Sequence, residues 1–446
     1  MAVIAKNCPE IKVEVVDINE NRIKAWNASD IKNLPVFEPG LAEIVQKSRK
    51  HNLSFSTDVE SSIRNADMVF ISVNTPIKKK GIGAGQTSDL RWVESCARQI
   101  SKCAEGHTIV VEKSTLPVKT AKTIKDILDS SSNYINEKER TFSVLSNPEF
   151  LAEGTAINDL ESPDRVLIGG DDISAMNSLK NIYMKWIPDE KIIFTNLWSS
   201  ELSKLSANAM LAQRISSINS LSAICEVTGA DIGDVANAVG MDSRIGNKFL
   251  RPGPGFGGSC FKKDILNLVY LSRYYGLNEV ADFWQETLKI NYWQQNRIYE
   301  KIVEKLFGNL AGKKIAVLGF AFKENTNDTR ESPAIEICKN LLKEGALLNI
   351  HDCKVNKETI KKDLLDRMCI DENLSWSYKD DIYSALEDTH AAILITEWSL
   401  YKTINWEEIL PNLKKPFWIF DTRLILNPKE MNKLGINIWQ LGYGNN

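Results

Sequence analysis

Met68-Val69-Phe70-Ile71-Ser72-Val73 is a strand-length run with a single polar position. It is apolar at consecutive rather than alternate residues, so both of its faces must be covered. Strands of that kind belong to parallel sheets wrapped by helices. The same unit recurs on either side. Upstream, Val13-Glu14-Val15-Val16-Asp17 reads as a strand ending in an acid. Downstream, Leu90 to Ile100 has helical spacing, and Thr108-Ile109-Val110-Val111-Glu112 is the next strand. Phe142-Ser143-Val144-Leu145 and Arg165-Val166-Leu167-Ile168-Gly169 follow. Buried strands alternating with helices predict an α/β domain, a doubly wound parallel sheet over residues 1–196.

From Trp198 to Val227 the pattern becomes one long helix, with Leu202, Leu205, Ala209, Ile215, Ile218 and Leu221 near helical spacing and Gly229 as its stop. Further helices are expected around Ile265 to Tyr275 and Val280 to Phe307, giving a central helical segment over 197–307. A second sheet begins at Lys314-Ile315-Ala316-Val317-Leu318-Gly319-Phe320 and occupies 308–446. Ser332-Pro333 opens a helix that Gly345 ends. Leu348-Asn349-Ile350-His351-Asp352 repeats the strand-then-acid pattern. Ala391 to Thr396 and Trp418 to Asp421 are further strands.

Composition narrows the partners. Charged residues make up 25% with a net charge of -3, and neither sign is clustered, which disfavours nucleic acid and lipid. No apolar run is long enough to span a bilayer, and the first residues turn polar too soon for a secretory signal. Eight cysteines lie without Cys-x-x-Cys spacing, and the four histidines are far apart, so no metal site is expected. The expectation is a reduced, cytoplasmic protein.

The chemistry concentrates in Arg251-Pro252-Gly253-Pro254-Gly255-Phe256-Gly257-Gly258-Ser259-Cys260-Phe261-Lys262-Lys263-Asp264. Glycines let a bulky ligand approach the main chain. Cys260 falls where a helix can begin, and oriented N–H groups and the charge of Lys263 would lower a thiol pKa from its usual value of about 8.5. One reading is a nucleophilic cysteine in a ligand-gripping loop; the other is a glycine loop around a buried structural cysteine. Residue types leave both open. Lys204 and Asn208, four apart in the long helix, share a face.

Asp17 suits the acid that binds the ribose hydroxyls of a dinucleotide and disfavours NADP. Such folds place a Gly-x-Gly-x-x-Gly turn about 20 residues before that acid. Here Met1 to Pro9 reads as the tail of the first helix, so the expectation is a first sheet truncated at its N-terminus, without the opening strand and phosphate loop. Gly81-Ile82-Gly83-Ala84-Gly85, after Lys78-Lys79-Lys80, imitates a phosphate cradle but reads as a mobile surface loop. The second sheet's first turn keeps one glycine, Gly319, which disfavours a dinucleotide there.

Asn147 to Ala156, the helix carrying Lys204 and Asn208, Gly255 to Asp264, and Gly319 to Arg330 together resemble the UDP-glucose 6-dehydrogenases of the UDP-glucose/GDP-mannose dehydrogenase family, most closely the animal form. The likeness covers essentially the whole chain. It implies two Rossmann-like sheets joined by a helical dimerisation segment, a homo-oligomer (dimer or hexamer), and NAD-dependent, two-step oxidation of UDP-glucose to UDP-glucuronate. In the chemistry it implies, a cysteine holds the intermediates as thiohemiacetal and thioester.

Carried over residue by residue, the resemblance makes Cys260 the nucleophile and Lys204 the oxyanion stabiliser. Asp264 and Thr115 position water and relay protons, Glu149 assists thioester hydrolysis, and Asn208 holds the reacting end of the sugar. Phe150, Leu151, Glu153, Arg251, Phe256, Gly257, Phe322, Lys323 and Arg423 would contact the nucleotide sugar, and Arg244 would reach a neighbouring subunit's site. Asp17, Arg22, Val73, Asn74, Thr75, Pro76, Ser114, Thr115, Glu153, Lys263 and Arg330 would contact NAD. Two other readings stand beside it: a truncated, impaired isoform or paralogue that binds UDP-sugar or joins oligomers, and another nucleotide-sugar 6-dehydrogenase.

Overall fold

The computed structural model describes residues 1–31, 34–115, 117–130, 134–135, 138–366 and 375–444. They form two compact units. One comprises Met1–Ala207 with Leu266–Leu277, the other Asn208–Ile265 with Asn278–Asn446.

The first unit runs α1 (Ala2–Asn7), β1 (Val13–Val16), α2 (Glu20–Asn27), α3 (Leu41–Ser48), β2 (Leu53–Ser56), α4 (Val59–Arg64), β3 (Met68–Ile71), α5 (Arg91–Cys103), β4 (His107–Glu112) and α6 (Thr120–Asp129). After the two-residue pair β5 (Tyr134–Ile135) and β6 (Lys138–Glu139) come β7 (Thr141–Ser146), α7 (Ala156–Glu161), β8 (Val166–Gly170), α8 (Ile173–Tyr183) and β9 (Ile192–Thr195). The main sheet has the order β3-β4-β7-β8-β9. It is not wholly parallel as expected: β8 runs antiparallel to β7, and β9 is parallel to β8. Val93, Ala97 and Ile100 of α5 and Ala121, Ile124 and Leu128 of α6 are buried at helical spacing in one cluster with Val110 and Val144.

β1 and β2 pair parallel in a sheet of their own, from Val13 opposite Leu53 to Val16 opposite Ser56. Ile4, Ala5, Cys8, Val13, Val45 and Leu53 form a small core there, against which Phe70 of β3 packs. The Asn52 side-chain amide lies within 3.0 Å of the carbonyls of Ala5, Cys8 and Ile11, pinning the end of α1 to the approach to β1. The Gly81–Gly85 segment is tied rather than loose. Lys78 N donates to Thr87 O at 2.8 Å, and the ring of Tyr270 sits where a side chain on Gly83 would go.

Two helices have residues in both units: α9 (Leu197–Thr228) and α11 (Phe261–Tyr274). The second unit adds α10 (Ile232–Gly240), α12 (Asn278–Lys305), β10 (Lys314–Leu318), α13 (Pro333–Lys343), β11 (Leu347–His351), α14 (Lys357–Asp366) and β12 (Trp376–Tyr378). It closes with α15 (Ile382–Leu386), β13 (Ala391–Leu394), α16 (Trp406–Ile409), β14 (Trp418–Asp421), α17 (Pro428–Lys433) and β15 (Asn437–Gln440). Its sheet is entirely parallel, in the order β12-β11-β10-β13-β14-β15. The order reverses between β10 and β13. At such a switch point the helices leave on opposite faces, which opens a crevice beyond the strands' C-terminal ends.

Candidate active site

The glycine-rich loop lies at that crevice. Cys260 opens α11: its carbonyl accepts Asp264 N at 2.9 Å, and its side chain is exposed. The reading of a buried structural cysteine is therefore set aside. Asp264, fully buried, accepts a hydrogen bond from Asn208 Nδ2 at 2.6 Å on Oδ2. Its Oδ1 lies 3.6 Å from Lys263 Nζ. The Lys263 charge thus faces a carboxylate.

Buried amides hold the loop backbone. Asn219 Oδ1 accepts Gly253 N at 2.9 Å, and Gln294 Nε2 donates to Gly253 O at 2.9 Å. Asn291 grips Phe256 at both ends, accepting its N–H at 2.8 Å and donating to its carbonyl at 3.1 Å. Sequence reasoning missed all three. For Asn291 and Gln294 the available signal was an amide cluster, with Gln295, in one stretch of α12. Gly257 is required: a Cβ there would stand 2.7 Å from both Glu331 O and Phe322 Cβ.

Arg423 joins the same wall. Its Nε donates to Ile395 O at 2.6 Å and faces Glu397 at 2.9 Å, and Nη2 donates to Phe322 O at 3.2 Å. Arg251 Nη2 donates to Arg423 O at 2.6 Å. Lys323 lies 5.5 Å from the Phe322 ring. Two predicted arginines pair with nearby acids in this unit: Arg244 is exposed and paired with Asp242 at 2.6 Å, and Arg330 Nε bonds Asp328 at 2.9 Å. The two strand-end acids also part company. Asp352, buried, accepts N–H groups of Phe320, Ala321, Lys354 and Val355 at 2.7–3.0 Å, so it holds the turn after β10.

In the first unit, Asp17 remains at the surface. It accepts Asn19 N at 2.9 Å and faces Arg22 at 3.5 Å. Thr75 Oγ1 donates to Thr115 O at 3.2 Å and Ser114 Oγ to Val73 O at 3.0 Å, which ties the segments following β3 and β4 together. The exposed Asn74 and Pro76 belong to the first of these segments. Lys204 is buried, with Nζ 5.4 Å from the Phe150 ring centroid, and the Arg165 guanidinium lies 3.8 Å from the same ring. Glu38 fixes the segment after Glu149, Leu151 and Glu153 by accepting Gly154 N at 2.8 Å and Ala156 N at 2.7 Å.

One feature of this unit was invisible in the sequence. Glu112 ends β4 fully buried, and its carboxyl is pushed well above the usual range by burial and by the charges of Glu201 and Glu149. The Ser146 hydroxyl and Lys113 oppose that shift. Glu201 caps α6, accepting Lys119 N and Ala121 N at 2.7 Å each. Burial outweighs those bonds and raises it to about 7. The folded protein therefore holds protons that the unfolded chain releases above about pH 4.5. Through Glu201 alone, stability should fall as pH rises from there through about 7, by on the order of 3 kcal/mol. Urea midpoints at pH 5 and pH 8 read this difference. Glu112→Gln, which removes one ionising partner, should narrow it.

Comparison with known proteins places three family models along the chain. The NAD binding domain of the UDP-glucose/GDP-mannose dehydrogenase family matches residues 1–187, its central domain 198–293 and its UDP binding domain 316–428. UDP-glucose 6-dehydrogenase 4 of Arabidopsis thaliana is 50% identical over 99% of this chain and 94% of its own length. The UDP-glucose 6-dehydrogenase of Mus musculus is 51% identical over 99% and 90%. Among solved structures, a UDP-glucose dehydrogenase from the archaeon Pyrobaculum islandicum superposes with a TM-score of 0.83 at 28% identity, covering 99% of this chain and 94% of that one.

Proposed function

Because the chain belongs to the UDP-glucose/GDP-mannose dehydrogenase family, we propose that it oxidises the C6 alcohol of UDP-glucose to a carboxylate, giving UDP-glucuronate, with NAD as cofactor. The observation that carries this reading is Cys260: exposed at the start of α11, one turn before a buried Asp264 that Asn208 holds.

The first unit's residues suit NAD. Asp17 offers an open carboxylate at the end of a parallel strand, the place where a ribose diol is bound, and Arg22 lies beside it. Val73 to Pro76 and Ser114 to Thr115 supply backbone and hydroxyl groups beyond β3 and β4. Glu153, Lys263 and Arg330 complete the proposed set. When bound, NAD accepts the hydrides that the two oxidations release.

The chain's own residues do the rest. Phe150, Leu151, Glu153, Arg251, Phe256, Gly257, Phe322, Lys323 and Arg423 bind the nucleotide sugar, with Arg244 serving a neighbouring subunit. Asn208 orients the reacting end of the sugar. Cys260 Sγ adds to the aldehyde, so that a reactive carbonyl is never released, and later carries the acyl group as a thioester. Lys204 stabilises the oxyanion that forms at each addition. Asp264 and Thr115 hold and move the proton of the attacking water, and Glu149 assists hydrolysis.

Absorbance of NADH with UDP-glucose, followed by mass spectrometry of the product, tests the proposal. The expected stoichiometry is two NADH per UDP-glucuronate. A single NADH with free aldehyde, or preference for an N-acetylated or mannose nucleotide, would overturn it. Binding of UDP-glucose without turnover at any NAD concentration would instead support the impaired reading.

The central helices also bear on assembly. Met210, Ile224 and Val227 of α9 and Phe283 of α12 are 55–84% exposed, an apolar surface that suits a homo-oligomer built on these helices. Light scattering would give a mass of at least two chains. No disulfide joins the described cysteines, which suits a reducing cytoplasm, and no described helix is long and apolar enough to cross a membrane.

A further inference from the structure

We propose that Lys262 and Glu331 form a positioning pair, and that their ion pair sets the backbone of Gly257–Cys260 and so the nucleophile. This rests on the function proposed above and names residues outside its assigned site.

Lys262 is the second residue of α11, two positions after Cys260. Its Nζ lies 2.9 Å from Glu331 Oε2, and the two side chains are only 27% and 26% exposed. Burial pulls the lysine pKa down, yet hydrogen bonding to Tyr292 and the Glu331 charge leave it raised, as expected of an engaged ammonium.

Glu331 stands in a left-handed conformation, φ +53°, which a residue with a Cβ seldom adopts and which persists where its surroundings over-determine it. Those surroundings are the glycine loop. Arg330 O accepts Gly258 N at 2.8 Å, and Glu331 O fills the space that a Cβ at position 257 would need. The backbone of 330–331 is therefore the wall on which Gly257 and Gly258 rest.

Beside the pair is a cavity of about 90 Å³ lined by Phe256, Lys262, Asn291, Tyr292, Gln295 and Glu331. On that side the wall adjoins space rather than close-packed core. Charge attraction across 2.9 Å then adds to the Gly258–Arg330 hydrogen bond in keeping the wall against the loop. Without it, the loop can relax toward the cavity and carry Cys260 off the N-terminal N–H groups of α11.

The test uses the full chain with Lys262→Gln, Glu331→Gln, the double variant and Glu331→Gly. Three quantities are read: kcat and KM for UDP-glucose, UDP-glucose affinity by calorimetry without NAD, and the rate of Cys260 alkylation by iodoacetamide against pH. Each neutralising variant is expected to lower kcat/KM about 10-fold, and the double variant to do no worse than either single one, because one interaction is removed. Both should slow alkylation near neutral pH.

Sign separates positioning from a direct charge effect. Removing the negative charge of Glu331 would by itself speed alkylation, whereas a displaced loop slows it. Glu331→Gly relieves the left-handed backbone, so it should keep or raise the thermal midpoint while losing activity like Glu331→Gln. Faster alkylation in Glu331→Gln, additive losses in the double variant, or wild-type activity in Glu331→Gly would each overturn the proposal. Calorimetry on the wild type tests the function itself. Should UDP-glucose not bind, that function fails, and the alkylation rates, which need neither substrate nor NAD, still decide the pair.

Discussion

Cys260→Ser is expected to bind UDP-glucose with wild-type affinity and to make UDP-glucuronate at least about 10³-fold more slowly. The side chain is exposed at the start of α11, so a hydroxyl fits without repacking and the fold should be unchanged. What is lost is nucleophilicity. A thiol near the N-terminus of a helix reaches its anion within the physiological range, and a serine hydroxyl without an adjacent base does not. The first oxidation needs no covalent bond to the chain, so NADH formation should stop near one per active site. Hydroxylamine should trap an acyl group from the wild type and none from the variant. Full conversion by Cys260→Ser would remove the basis of the proposed mechanism.

Lys204→Ala is expected to lower kcat by about 10²–10³-fold with a much smaller change in KM. The ammonium lies in a nearly closed site, 4% exposed and beside the Phe150 ring. A buried positive charge already in place stabilises a developing oxyanion without reorganisation, and more strongly than in water. The substrate alcohol carries no charge in the ground state, so binding should change little. Equal losses in kcat and affinity would mean that Lys204 grips the nucleotide sugar instead.

Much of this was legible before any coordinates. The apolar run at Met68, the long helix after Trp198 and the second sheet from Lys314 all showed in local periodicity. The glycine-cysteine stretch identified the loop. Four strands were missed for one reason. β2 (Leu53–Ser56), β9 (Ile192–Thr195), β12 (Trp376–Tyr378) and β15 (Asn437–Gln440) are short, and most of their residues are only partly buried, so their patterns do not stand out from loops. The antiparallel entry of β8 depends on the path of the chain between strands.

Asp17 and Asp352 follow the same motif, a strand and then an acid. In sequence they are equivalent. In the fold, Asp352 is enclosed by four N–H groups of its own neighbours, and Asp17 stays open. Glu112 shows the same limit: it too is an acid ending an apolar strand, and it is buried, with Glu201 close enough to raise its pKa.

Alone, the sequence determined most of the strands and helices and the glycine-rich stretch that carries Cys260. Each of these follows from residues near one another in the chain. The tertiary structure decided which acid remains available, which amides grip the loop and which charges pair across it. Those outcomes depend on burial and on hydrogen-bond partners brought together from far along the chain, and no local pattern encodes them.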